Sequence, residues 1–70
     1  MTNDKKIFLR ELISVNKLAE RAGISASYLS SILNNQRQPS RALAYMFTQE
    51  SNKLLQQEYF TIQDFNPKDK

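Results

Sequence analysis

Catalysis by side chains needs a nucleophile beside a base, a reactive thiolate, or metal ligands at close spacing. This chain of 70 residues contains no His and no Cys. Serines are plentiful, but none sits in a nucleophile motif with a base to activate it. The seven carboxylates, Asp4, Glu11, Glu20, Glu50, Glu58, Asp64 and Asp69, are scattered, with no paired or metal-ligand spacing. There is no glycine-rich phosphate loop. An enzyme is therefore not expected, and neither is a cofactor, a metal or a small-molecule ligand. What remains is hydrogen bonding by short polar side chains. Ser27, Ser30, Ser31 and Asn34 fall at i, i+3, i+4 and i+7, one stripe of a helix. A face that only needs solubility more often carries Lys and Glu. Ser can donate or accept, and Asn can bond adenine in bidentate fashion.

The layout of charge points the same way. The net charge is only +3, yet no acid occurs from Arg21 to Gln49, while Arg21, Arg37 and Arg41 do. A polyanion partner requires a surface cleared of negative charge. The bland alternative is chance in a small protein.

A stripe of this kind must be carried by a well-placed helix. Val15 to Ala22 and Ala26 to Leu33 predict two short helices joined at Ala22-Gly23-Ile24. Ser14 and Ser25 stand where N-caps belong. Ala19 is small enough for two steeply crossing helices. Gly23 supplies the positive φ of the turn, and Ile24 plugs the corner. Leu29, Ile32 and Leu33 make the inward stripe of the second helix. A small residue, Gly four later and an apolar residue six after that is the helix-turn-helix spacing.

The run GISASYLSSILNNQRQPS resembles the Cro/CI-type (XRE) helix-turn-helix domains of phage repressors and bacterial regulators. The resemblance covers about Phe8 to Leu43 and is strongest over Leu18 to Ser40. Tyr28-Leu29-Ser30 and then Arg37-x-Pro39-Ser40 make it fairly specific. Two positions depart from the family. Val15 stands where Gln usually helps to hold a phosphate. Asn35 stands where Gly usually follows the recognition helix, and Asn tolerates left-handed geometry next best. The resemblance implies base contact by Ala26, Ser27 and Ser31. Short side chains allow close approach, so Ser30, Asn34 and Asn35 join them as candidates. Asn34 or Asn35 is expected to discriminate bases more than any Ser, together with DNA shape. Asn16, Lys17, Tyr28, Arg37 and Arg41 are the candidate phosphate contacts. For the serines the alternative is ordinary helix surface, for Tyr28 a partly buried core aromatic, and for Arg37 a solvated loop charge.

In the rest of the chain, residues 1–3 are expected to fray. Asn3 or Asp4 caps a first helix running to about Ile13. Phe8, Leu12, Ile7 and Ile13 are read as its inward face, with Lys5, Lys6, Arg10 and Glu11 wet. Residues 34–39 form a loop, and Ser40 caps a fourth helix. Leu43, Phe47, Glu50 and Leu54 mark one face of that helix, with Met46 and Leu55 beside it. A break near Ser51-Asn52 is favoured over a single long helix. Thr61-x-x-Asp64 resembles a capping box and predicts a last helical turn, with a strand through Glu58–Ile62 as competitor. Leu54, Leu55, Tyr59, Phe60 and Phe65 exceed what a small core needs, and some of them are candidates for a homodimer surface.

The expected architecture is therefore all-α, a single four- to five-helix Cro/CI-like domain over 1–70, with its motif at 15–33 and a C-terminal extension at 51–66. A chain this short buries about 60% of its unfolded surface, so stability on the order of 3–5 kcal/mol is expected. No apolar run approaches a membrane span, and MTNDKK lacks a signal peptide's apolar core, so a cytoplasmic location is the default. The expected partner is double-stranded DNA, with a palindromic operator and repression by occupancy. A protein-interaction module of antitoxin or anti-repressor type is the rival from another class. A DNA-binding subunit of a recombination machine is the other rival.

Overall fold

The computed structural model describes residues 1–68, and its described residues are helical, with no strand among them. The helices are α1 (Asn3–Leu12), α2 (Val15–Ala22), α3 (Ala26–Leu33), α4 (Arg41–Leu55) and a single turn, α5 (Ile62–Phe65). Capping explains most of the boundaries. Ser14, Ser25 and Ser40 each accept a hydrogen bond from the backbone N–H three residues on, at 3.4, 3.1 and 3.2 Å. The first helix departs from expectation: its N-cap is Thr2, whose hydroxyl accepts from Lys5 N at 3.4 Å, rather than Asn3 or Asp4.

Three helices end in the same way. Gly23, Asn35 and Gln56 take left-handed backbone at φ 74°, 62° and 60°. In each case the next N–H reaches back to close the end: Ile24 to Ala19, Gln36 to Ser31 and Gln57 to Asn52, at 3.0, 2.9 and 3.1 Å. Asn35 thus fills the position where the family usually has Gly. Gln56 has neither the freedom of Gly nor the tolerance of Asn. Gln56→Gly is expected to raise stability by about 0.5–1 kcal/mol in urea denaturation. No gain would mean that the Gln56 side chain makes contacts that offset its backbone strain.

The buried core gathers Leu9 and Ile13 from α1, Leu18 and Ala19 from α2, and Leu29, Ile32 and Leu33 from α3. Ala44 and Phe47 of α4 complete it with Phe60 and Phe65. On α1 this corrects the expected inward face. Leu12 is 61% exposed and Ile7 49%, while Leu9 is fully buried. Ile13 is buried and Phe8 packs half-buried against the core as expected, and Leu9 joins them in a row with Lys5 and Ile13. Lys5 can share that row because Asp64 meets its ammonium at 2.8 Å, so it is not simply wet. Nor is the N-terminus frayed: Met1 packs against the core.

α4 is a single helix through Ser51-Asn52, contrary to the expected break. The polar residues along it do not compete for its backbone donors. Thr48 Oγ1 donates to the Ala44 carbonyl at 2.8 Å. Ser51 is buried on the core side. Asn52 points across to the returning chain, where its Oδ1 accepts from Tyr59 N and Phe60 N at 3.0 and 2.9 Å. Its Nδ2 donates to the Phe60 carbonyl at 3.1 Å. One side chain thus satisfies the extended backbone that a strand partner would otherwise have to pair. Met46 is 42% exposed rather than inward, and the buried row is Ala44, Phe47, Thr48 and Ser51.

The capping box at α5 is present: Asp64 Oδ2 accepts from Thr61 N at 2.8 Å. Phe60 and Phe65 are 3% and 1% exposed. They lie in the monomer core, not on a dimer surface. Phe65 stands 5.3 Å from Phe47 and 5.7 Å from Phe60, ring centre to ring centre. Leu54, Leu55 and Tyr59 are half-buried. No helix among the described residues is long and apolar enough to cross a membrane.

Candidate nucleic-acid interface

α3 buries Leu29, Ile32 and Leu33 and turns its polar stripe outward. Ser27 and Asn34 are exposed, and Ser30, Ser31 and Ala26 are half-buried. The Ser31 hydroxyl donates to the Ser27 carbonyl at 3.1 Å. In that geometry Ser31 presents lone pairs outward, which suits a donor such as an exocyclic base amine.

Beyond the end of α3 the side chains are engaged by the N-terminal segment. Asn34 Oδ1 accepts from Lys6 Nζ at 2.9 Å, and Asn35 Oδ1 accepts from the Met1 amine at 3.0 Å. Burial lowers the pKa of that amine, with Asp64 opposing the shift and Lys6 adding to it. A bidentate grip on adenine needs the Asn carbonyl as well as its amide. For either Asn, such a grip requires breaking one of these contacts.

Arg21 meets Glu50 at 3.4 Å, and Glu50 lies 3.8 Å from Lys53, so Arg21 is matched by an acid. Lys17 on α2, Arg37 in the loop and Arg41 at the start of α4 are exposed. Asn16 lies beside Lys17 in the first turn of α2 and is also exposed. The Arg37 guanidinium stands 5.7 Å from the centre of the half-buried Tyr28 ring. That cation–π contact sets a positive charge beside α3, of the sign a phosphate backbone attracts. The α2 and α4 N-termini add backbone dipoles of the right sign.

Sequence reasoning missed Lys6, Asn52 and the Lys5–Asp64 pair. Lys5 and Asp64 are 59 residues apart and Lys6 and Asn34 are 28 apart. No local pattern links residues at such separations.

Three helices positioning an outward polar stripe, framed by cations and helix N-termini, define a small DNA-binding helix-turn-helix domain. A helix-turn-helix family model matches residues 5–47, well over half of the chain, and the protein belongs to that family, of the Cro/CI (XRE) type. Neither the curated proteins nor the solved structures gave a match. This is a family of DNA-binding domains rather than of enzymes, and it makes the chain a transcription regulator that binds double-stranded DNA. The match ends at Phe47, so the second half of α4 and everything after it lie beyond the family segment.

Proposed function

We propose that the protein is a sequence-specific repressor of phage or mobile-element type, acting by occupying its operator. α3 lies in the major groove with its N-terminal residues nearest the bases. Ala26, Ser27, Ser30 and Ser31 face base edges, with Asn34 and Asn35 at the far end. Asn16, Lys17, Tyr28, Arg37 and Arg41 hold phosphates. The observation that carries this reading is the uncharged stripe of α3, flanked by Arg37 fixed on Tyr28. Because Lys6 and Met1 hold the Asn carbonyls, the serines lead base reading, and the asparagines follow. A bound protein represses by standing where polymerase must pass. Two copies read a palindrome through two-fold pairing. Half-buried Leu54, Leu55 and Tyr59 are the residues left for it from the C-terminal set, now that Phe60 and Phe65 are in the core.

Selection from a randomised duplex pool tests this directly. The expected product is an inverted repeat with half-sites about one helical turn apart. Ser31→Ala should shift the preferred sequence more than the pair Asn34→Ala and Asn35→Ala. The opposite ranking would return base reading to the asparagines. No enriched sequence at all would overturn the repressor reading in favour of a partner protein.

A further inference from the structure

The chain beyond the family segment returns to the loop between α3 and α4. Asn66 is buried, and its Nδ2 donates to the Pro39 carbonyl at 3.3 Å, tying the C-terminal segment to the residue before the α4 cap. Past that tie, Pro67 and Lys68 form one wall of an open groove of about 350 Å³. Asn35, Gln36, Arg37 and Gln38 form the other. The groove is thus lined by two cations, Arg37 and Lys68, and by three amide side chains, Asn35, Gln36 and Gln38. The adjoining depression, which shares Asn35 and Pro67, is lined by Asp64 and is unsuited to an anion. Asp64 is itself matched by Lys5, so its charge does not cancel the groove's cations.

We propose that this groove is a second phosphate-binding site, in which Lys68 and Arg37 hold the DNA backbone from opposite sides. The site rests on the DNA-binding reading and extends it to a residue outside the family segment. Arg37 contacts the Tyr28 ring, and Lys68 follows the Asn66 tie by two residues. A phosphodiester lying between them meets two charges and amide donors from Gln36 and Gln38. Lys68, Arg37, Gln36 and Gln38 meet the backbone and no base edge, so their grip adds affinity without adding sequence preference.

The experiment measures duplex affinity of the full chain by anisotropy across salt, for an enriched operator and for an unrelated duplex. Lys68→Gln is compared with Lys53→Gln, an equal charge change on α4 about 18 Å along the helix from Arg41. For Lys68→Gln the expected loss is about tenfold at 50 mM salt, falling to about threefold at 200 mM, equal on both duplexes. The slope of log K against log salt should fall by about one. Lys53→Gln should leave the slope unchanged. A Lys68→Gln slope equal to wild type, or no larger a change than with Lys53→Gln, overturns the proposal. If Arg37→Gln weakens binding while Lys68→Gln does not, only the groove fails. If the wild type binds no duplex, the DNA reading fails and the groove with it.

Discussion

Ser27→Glu should abolish DNA binding while leaving the fold intact or slightly firmer. Ser27 is the second residue of α3 and is exposed. A carboxylate there faces the unpaired N–H groups of the helix start, a placement worth about 0.3–1 kcal/mol to stability. The same carboxylate would sit in the stripe placed against the major groove, within a window that carries no acid from Arg21 to Gln49. Like charges brought together at an interface cost several kcal/mol, so affinity should fall by about 100-fold or more. Gln57→Glu, an equal change of net charge beyond the end of α4, should cost far less. Thermal melts and anisotropy titrations on the two variants separate the effects. Ser27→Glu binding within about threefold of wild type would show that this stripe does not face DNA.

Phe65→Ala should unfold the domain. The ring is 1% exposed and packs between Phe47 and Phe60. Truncating a buried Phe costs about 3–5 kcal/mol. That is as large as the whole stability expected of a core this small. Far-UV circular dichroism at 25 °C should show little of the native helix signal and no cooperative urea transition. Phe65→Leu, which keeps much of the volume, should retain a cooperative transition at lower urea. A Phe65→Ala variant within about 1 kcal/mol of wild type would mean that residues 58–66 dock on a domain already stable without them. The family segment ends at Phe47, yet the core does not. Phe60 and Phe65 fill the space against Phe47 that the first four helices leave open.

The helix-turn-helix was legible because its signals are local. Ser25 lies three residues from the N–H it caps, Gly23 is the turn residue itself, and Leu29, Ile32 and Leu33 lie within two turns. The inward row of α1 was not legible in this way. Phe8-Leu12 and Leu9-Ile13 are both i, i+4 apolar pairs, and periodicity alone does not rank them. Lys5 continues the second row, and its charge is met by Asp64, 59 residues away in sequence. The continuity of α4 was hidden for a related reason. Ser51 and Asn52, where the break was expected, and Thr48 before them are residue types whose side chains can compete for nearby backbone groups. In the fold one bonds the preceding turn, one faces the core and one binds the chain at 59–60.

The sequence by itself determined the helix-turn-helix, the caps of α2 to α4, the turn at α5 and the polar, acid-free character of α3's outer face. Each depends on residues within a few positions of one another, where backbone geometry sets the contact. Only the tertiary structure decided that Phe60 and Phe65 belong to the core, that the N-terminal segment engages Asn34 and Asn35, and that Lys68 stands across a groove from Arg37. Those outcomes depend on where the chain returns after α4. That return is set by Asn52, Lys5–Asp64 and Asn66–Pro39, contacts between residues from 7 to 59 positions apart.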